Sequence, residues 1–187
     1  MACILPNGSI NPSGEIKGGF GFYVGEPEGA TFSWEDAKEV LVSYAVYFEP
    51  GFKFQLGGKL PGPYGGSTPE QAFKCTGGRK ERRDECFSLR LMWRQNGTAE
   101  VYGYLPSDNQ TTQILSKVPP LSVLNPKYGF SIGRGSWAFV PGQWTTVAIR
   151  VRLNAIESRD GTHIETKYEG EIEVFANGAS ALKAVGL

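Results

Sequence analysis

One stretch of the sequence predicts the fold: Phe87-Ser-Leu-Arg-Leu-Met-Trp-Arg-Gln-Asn-Gly-Thr-Ala-Glu-Val-Tyr-Gly-Tyr-Leu105. Apolar and polar side chains alternate in both of its halves, which is the pattern of β-strands with one buried face. Leu89, Leu91 and Trp93 share one face of the first run. Asn96-Gly97 lies between the two runs, and this dipeptide favours the tight turn of a β-hairpin. The stretch therefore predicts two antiparallel strands joined by a short turn.

The length of that turn decides which side chains share a face. A two-residue turn at Asn96-Gly97 pairs Arg90 with Gly103 and places Tyr102 with Leu91 in the core. A three-residue turn, Gln95-Asn96-Gly97 with a left-handed glycine, pairs Arg90 with Tyr102 instead. Only the second register separates polar from apolar side chains on both strands, so we adopt it.

The adopted register predicts a polar patch formed by Ser88, Arg90, Tyr102 and Tyr104. Its arginine can bind a carboxylate through two parallel hydrogen bonds. Its phenols can act as general base or acid if a nearby cation lowers their pKa, and Lys59, in a glycine-bracketed loop, supplies such a cation. The alternative is a solvated sheet face with aromatic cross-strand packing, which stabilises many sheets.

The rest of the chain continues the β pattern. Further strands are predicted at Val40–Phe48, Phe52–Leu56, Thr145–Leu153, Ile164–Tyr168 and Glu171–Phe175. Gly 25 and Pro 12 indicate many turns, and residues 6–31 are expected to be irregular. Helix is limited to a turn or so at Ser33–Glu39 or Thr68–Phe73. We predict a single domain over residues 1–187, an all-β antiparallel β-sandwich or β-jelly roll.

Several classes of function are not supported by the sequence. Lys plus Arg (19) balances Asp plus Glu (19), which argues against nucleic acid or a membrane as partner. The single histidine, His163, lies in a turn-like context and is expected at the surface, without the Gly-x-Ser-x-Gly motif of a serine hydrolase. Zinc and P-loop motifs are absent, so no metal or cofactor is predicted, although a structural Ca²⁺ held by backbone carbonyls would leave no signal.

The cysteines bear on the compartment. Cys75 and Cys86 flank a short, highly charged segment, and a disulfide between them would favour an oxidising compartment. Two reduced thiols beside a loop are the alternative. The first residues lack the basic and apolar regions of a signal peptide, so we expect either a cytosolic protein or a mature chain without its leader. Of the two, we predict secretion.

Several motifs together resemble polysaccharide lyase family 14, which includes alginate and glucuronan lyases. They are Tyr44-Ala-Val-Tyr-Phe48, Gly57-Gly-Lys-Leu-Pro-Gly62, Tyr64-Gly-Gly66, Leu91-Met-Trp-Arg94, Ile132-Gly-Arg-Gly135, Gly142-Gln-Trp144 and Val151-Arg-Leu-Asn154. The resemblance covers nearly the whole chain and implies a jelly roll that cleaves an acidic polysaccharide by β-elimination.

The resemblance also implies roles for residues of the patch. The family's catalytic lysine falls on Lys59, its Ser-x-Arg pair on Ser88 and Arg90, and its Tyr-x-Tyr pair on Tyr102 and Tyr104. Arg90, Lys59 and Ser88 would neutralise the substrate carboxylate. A tyrosine would then move the proton, although Lys59 could assist directly.

Two departures from the family pattern bear on activity and substrate choice. The stretch between Lys59 and Ser88, which contains the Cys75–Cys86 segment, is longer than in viral members and closer to fungal ones. This favours glucuronan over the two alginate blocks, polymannuronate and polyguluronate. The sequence also stops at Leu187, before a Phe/Gly-rich strand that usually follows in the family.

Two other functions compete with the lyase. A lectin-like carbohydrate-binding module on the same fold would use Arg90 and the aromatic rings but no proton-transfer set. A jelly-roll glycoside hydrolase needs two carboxylates across a cleft. Glu171 and Glu173 share a strand face, whereas Glu100 is expected on the face opposite the patch.

The remaining predictions concern single side chains and assembly. Arg134 and Arg152 are candidates for extending a carboxylate-binding groove, and Trp137 is a candidate for stacking on a sugar. Trp93 and Trp144 are expected in the core. The protein is expected to be a monomer whose partner is the acidic polysaccharide.

Overall fold

Antiparallel strands make up most of the fold. The computed structural model describes residues 1–10, 14–76, 83–159 and 163–187. Its strands in chain order are β1 (Glu39–Tyr47), β2 (Gly58–Lys59), β3 (Tyr64–Gly66), β4 (Cys86–Trp93), β5 (Ala99–Tyr104), β6 (Val123–Asn125), β7 (Gly129–Ile132), β8 (Trp144–Arg152), β9 (Ala155–Arg159), β10 (His163–Lys167), β11 (Glu171–Ala176) and β12 (Ala179–Val185). Two α-helices lie among the described residues, α1 (Pro69–Phe73) and α2 (Asn109–Ser116).

The strands form two main sheets. One has the order β1-β8-β11-β12, and the other has the order β2-β4-β5-β7-β6, with β3 also paired to β4. Strands β9 and β10 pair separately as a hairpin. This architecture confirms the predicted antiparallel β-sandwich of the jelly-roll class.

The core lies between the two main sheets. Leu89, Leu91 and Val101 of β4 and β5 are fully buried, and so are Ile149 and Val174 of the other sheet. They belong to one cluster of buried residues, so the apolar face of each sheet is removed from water by the other.

The β4–β5 turn has the predicted three-residue form. Asn96 and Gly97 have φ values of 62° and 76°, the left-handed backbone that asparagine and glycine tolerate best. A Cβ on Gly97 would lie 2.2 Å from the carbonyl oxygen of Phe139, so the position has no room for a side chain. The resulting register pairs Arg90 with Tyr102, as predicted.

An aromatic cluster closes one end of the core. The ring centroid of Phe48 lies 4.9 Å from those of Phe52 and Phe54 and 5.3 Å from that of Trp93. The prediction that Trp93 belongs to the core is therefore confirmed. The predicted strand at Phe52–Leu56 is wrong: this segment is a loop whose alternation reflects two rings packed inward.

The helices agree only in part with the sequence. The predicted turn at Thr68–Phe73 is α1, which begins after the Thr68 cap, whereas Ser33–Glu39 is not helical. Helix α2 was not predicted; the Asp108 carboxylate caps it by accepting a hydrogen bond from the Thr111 N–H at 2.9 Å. Neither of the described helices has the length and apolar character to cross a bilayer.

The chain divides into two compact units, Met1–Ala37 and Lys38–Leu187, and the sandwich belongs to the second. In the first, the described residues contain neither helix nor strand, as predicted for residues 6–31, and Phe20 stacks on Phe22 at 5.8 Å. That residues 1–187 act as a single domain stays a prediction.

Removal of one core side chain tests this packing. We expect Leu89→Ala to lower the free energy of unfolding by about 2–5 kcal/mol, because it leaves a cavity between the sheets. Leu56→Ala is the matched control, since Leu56 is 90% exposed. Denaturant unfolding of both variants measures the difference, and equal losses would contradict the assignment of the core.

Candidate active site

A polar and aromatic patch lies on the face of β4 and β5 that is turned away from the core. The register pairs Arg90 with Tyr102 and Ser88 with Tyr104, and β2 adds Lys59 beside β4. Laterally paired residues of a sheet point to the same side, so the five predicted catalytic residues share one face. Four of them approach each other through their side chains.

Rings and cations of the patch contact each other. The Arg90 guanidinium carbon lies 4.7 Å from the ring centroid of Tyr104 and 5.7 Å from that of Tyr64. Lys59 Nζ lies 5.8 Å from the ring centroid of Tyr102, which meets Tyr104 edge to face at 5.5 Å. Cations on aromatic faces are attracted by the ring quadrupole, so these contacts hold both charges in place.

The loop that carries Lys59 is pressed against β4. A Cβ on Gly58 would lie 2.0 Å from the ring of Trp93, and one on Gly62 would lie 1.9 Å from the carbonyl oxygen of Leu89. Both distances are far below contact, so only glycine allows the loop to approach this closely. This is the physical reason for glycines on both sides of the lysine.

The opposite sheet also holds this loop. The Tyr44 hydroxyl of β1 donates a hydrogen bond of 2.7 Å to the carbonyl of Pro61. Burial raises the pKa of Tyr44, which keeps the phenol protonated as a donor. The backbone next to Lys59 is thus tied to both sheets.

Glu100 corrects a prediction. It was expected opposite the patch, but Glu100, Tyr102 and Tyr104 alternate along β5 and therefore point to the same side. Its fully buried carboxylate accepts hydrogen bonds from Arg94 Nη2 at 2.5 Å, Arg134 Nε at 2.6 Å and the Ser131 hydroxyl at 2.7 Å. Glu100 is therefore a buried counter-ion beneath the patch.

Arg90 differs from these paired arginines. Its Nε and Nη2 atoms are buried and have no hydrogen-bond partner within the described ranges. The rings of Tyr64 and Tyr104 lie against this cation. Because a buried charge without a partner is unfavourable, Arg90 is suited to receive an anion.

The environment moves the pKa of two patch residues in opposite directions. Burial is the main reason why the pKa of Lys59 is lowered, and the positive charges of Arg90 and Arg94 add to it. Burial also raises the pKa of Tyr102, and the neighbouring Tyr104 adds to this shift. The lysine therefore loses its proton more readily than a free amine, whereas Tyr102 keeps its proton.

Ser88 lies at the base of the patch, not at its surface. It is fully buried, and its hydroxyl donates a 2.9 Å hydrogen bond to the Cys75 carbonyl. Cys75 and Cys86 form a disulfide, so the segment next to Ser88 is covalently fixed to the start of β4. Ser88 thus supports the patch from below.

The two arginines proposed to extend the groove occupy different places. Arg134 borders the patch, but its Nε and Nη2 atoms are engaged by Glu100 and Ser131. Arg152 is on the outer face of the other sheet, 3.5 Å from Glu169, because the inward positions of β8 alternate with it. The prediction that Arg152 joins the same groove is wrong.

The tryptophans also depart from expectation. Trp137, the candidate for sugar stacking, packs partly buried against the core, with its ring centroid 6.2 Å from that of Phe139. Trp144, expected in the core, is 67% exposed and lies against Tyr47 at 5.3 Å. The prediction that Trp144 lies in the core is wrong because side chains alternate along β8, and Trp144 points to its outer face.

The geometry does not support a hydrolase pair. Glu171 and Glu173 lie on the outer face of β11, where both form ion pairs with Arg150, so they do not face the patch. The side chain of His163 lies outside the described residues. Across the described parts of the chain, no group of three or more His, Cys, Asp or Glu converges as metal ligands would.

Three contributors to the site were missed in the sequence: Tyr44, Arg94 and Glu100. The last two carry a signal that was available, since they continue the even-numbered alternation of β4 and β5. Tyr44 gives no such signal, because its hydrogen bond spans the sandwich.

Fold and patch together define a β-jelly-roll protein with a basic, aromatic face suited to an anionic ligand. The chain belongs to polysaccharide lyase family 14, since the family described as Polysaccharide lyase 14 matches residues 1–187. The resemblance seen in the motifs is thereby confirmed. A comparison with curated proteins finds no match.

Two solved structures illustrate the likeness. A marine PL-14 alginate lyase from Aplysia kurodai is 36% identical, with a TM-score of 0.62, over 80% of this chain and 53% of that one. An alginate lyase from Chlorella virus is 21% identical, with a TM-score of 0.54, over 79% of this chain and 59% of that one, which shows the fold alone. The chain therefore spans little more than half the length of these proteins.

A single added methyl group tests the close approach of the Lys59 loop. We expect Gly62→Ala to lower the free energy of unfolding by about 1–3 kcal/mol, because its Cβ meets a backbone carbonyl that cannot yield. Gly25→Ala is the control, since a Cβ there has no neighbour within 4 Å. Thermal unfolding compares the two, and an unchanged Gly62→Ala would refute the contact.

Proposed function

We propose that this protein is a polysaccharide lyase that cleaves a 4-linked polyuronate by β-elimination and leaves unsaturated uronate ends. The observation that carries the proposal is the half-buried Arg90, which has no hydrogen-bond partner at Nε and Nη2 among the described residues and stands beside Lys59 and Tyr102. Membership of the family supports it.

Arg90 would bind the carboxylate of the uronate at the cleavage point. A guanidinium matches a carboxylate in shape and charge, and the pair is strongest where water is excluded. This neutralisation is a requirement of the reaction, because the proton on C5 is far too weakly acidic beside a free carboxylate. Preorganised positive charge stabilises the anion that develops when this proton leaves.

Lys59 would accept the C5 proton, and Tyr102 would give a proton to O4 of the leaving sugar. The opposite pKa directions of the two groups support these roles, since a base must be deprotonated and an acid protonated at the same pH. The C5–H electron pair forms the C4=C5 double bond, the C4–O4 bond breaks, and the proton from Tyr102 completes the new hydroxyl.

Substrate and setting follow from the chemistry of the patch and from the relatives. The relatives from Aplysia kurodai and Chlorella virus are alginate lyases, and the family resemblance extends to glucuronan lyases, so we propose alginate or glucuronan as the polymer. The Cys75–Cys86 disulfide supports a secreted protein. We further propose that it acts as a monomer without a cofactor.

The first test mixes the protein separately with glucuronan, polymannuronate and polyguluronate and follows ultraviolet absorbance. We expect a rise with at least one polymer, because the new double bond is conjugated to the carboxylate. Binding without any rise would favour the lectin-like module, and new reducing ends without a rise would favour a hydrolase.

A second test addresses Arg90. Arg90→Lys keeps the positive charge but removes the planar fork, so we expect kcat/KM to fall by about 10²–10³-fold. The matched control is Arg150→Lys on the outer face of the other sheet, which should retain activity close to that of the parent protein. Near-normal turnover of Arg90→Lys would rule out Arg90 as the carboxylate-binding group.

A further inference from the structure

Arg94 stands in the patch but has no part in the mechanism described above. Its guanidinium carbon lies 5.6 Å from the ring centroid of Tyr102, and its side chain is 25% exposed. Nε and Nη2 donate to the same oxygen of Glu100, at 2.8 Å and 2.5 Å. Two bonds from one edge of the fork fix the plane of the guanidinium as well as its position.

The anchor of Arg94 is itself fixed. Glu100 is fully buried, and its second oxygen accepts from Arg134 and Ser131 at 2.6 Å and 2.7 Å. A carboxylate satisfied on both oxygens has little freedom to turn. Arg94 therefore belongs to a preorganised cluster and not to a mobile surface.

We propose that Arg94, locked by Glu100, is a positioning residue for the proton-transfer step: it braces the ring of Tyr102 and keeps a fixed positive charge beside Lys59. The proposal rests on the proposed lyase function for its catalytic meaning. The lowered pKa of Lys59, to which Arg94 contributes, agrees with it.

Charge balance explains why Arg94 is needed in addition to Arg90. A bound substrate carboxylate neutralises Arg90, so the effect of Arg90 on Lys59 disappears when substrate is present. The cluster of Arg94, Arg134 and Glu100 holds two positive charges and one negative charge, and this net positive charge remains. Arg94 thus acts on the proton-transfer pair in the loaded site.

Several groups face Lys59 and must be considered in its titration. They are Arg90 from β4, Arg94 directly after β4, Glu100, Tyr102 and Tyr104 from β5, Tyr64 from β3 and Arg134 from the segment after β7. Arg90 and Arg94 both lie near Tyr102 and both lower the pKa of Lys59, but Arg94 is held by Glu100, whereas Arg90 is proposed to bind the substrate carboxylate.

The test removes the charge of Arg94 and keeps a donor for Glu100. In Arg94→Gln we expect the titration midpoint of Lys59, followed by NMR of ¹³C-labelled lysine and assigned with Lys59→Arg, to move to higher pH. In Arg94→Lys, which keeps the positive charge, we expect the titration midpoint of Lys59 to lie close to that of the parent protein. Arg150→Gln is the matched control, because Arg150 is a similarly half-buried arginine bound to glutamates on the other sheet.

Kinetics provide the second readout. We expect kcat of Arg94→Gln at neutral pH to fall by roughly tenfold, less than for a group that touches the reacting atoms, with KM nearly unchanged and the pH profile displaced to higher pH. If the amide variant does not fold, Arg94→Met replaces it.

The outcomes separate the two proposals. An unchanged Lys59 midpoint in folded Arg94→Gln overturns the role of Arg94, and so does a rise in KM alone, which would make Arg94 a substrate ligand. A parent protein that forms no unsaturated product overturns the lyase function instead. The Lys59 titration needs no polymer, so it still decides whether Arg94 acts on the lysine.

Discussion

The left-handed backbone at Asn96 and Gly97 is the constraint on which the rest of the structure depends. It fixes the register of β4 and β5, and the side-chain period of a strand is two, so a shift by one residue would exchange the two faces. One face supplies Leu89 and Leu91 to the core, and the other supplies Arg90 and the tyrosines to the patch. The register of one hairpin therefore determines both the core face and the patch face of the sheet.

The patch can hold several cations close together because the buried Glu100 carboxylate neutralises part of their charge. Glu100 is a buried carboxylate between Arg94 and Arg134, so these two cations are bonded, while Nε and Nη2 of Arg90 have no hydrogen-bond partner among the described residues and stay available for a ligand. A buried carboxylate with two arginine partners avoids the penalty of an isolated ion. Arg94 and Arg134 are therefore held in place by Glu100, and Arg90 is the arginine of the patch that is suited to bind an anion.

The sequence predicts what depends on local pattern and fails where long-range contacts decide. The jelly roll, the hairpin register and the common face of Arg90, Tyr102 and Tyr104 follow from alternation and turn chemistry. Phe52–Leu56 alternates like a strand, yet it is a loop whose rings pack on Phe48, because alternation alone does not supply a hydrogen-bonded neighbour. Arg152 is a cation that could bind a carboxylate, but it lies on the sheet that does not carry the patch. Ser88 lies on the patch face as predicted, but it is fully buried. The glycine-bracketed loop and the resemblance both indicate Lys59, but only the structure shows that the glycines let this loop lie against β4.

Attachment of the Lys59 loop to both sheets has a consequence for protein engineering. Gly58 and Gly62 allow it to lie against β4, and the Tyr44 hydroxyl of β1 donates a hydrogen bond to the carbonyl of Pro61, so the loop contacts both sheets. Gly57, Gly58 and Gly62 are poor positions for libraries that aim to change polymer preference, because an added Cβ at each would collide with backbone or ring. Val123 and Asn125 of the edge strand β6 are better positions for diversity, because their side chains are exposed.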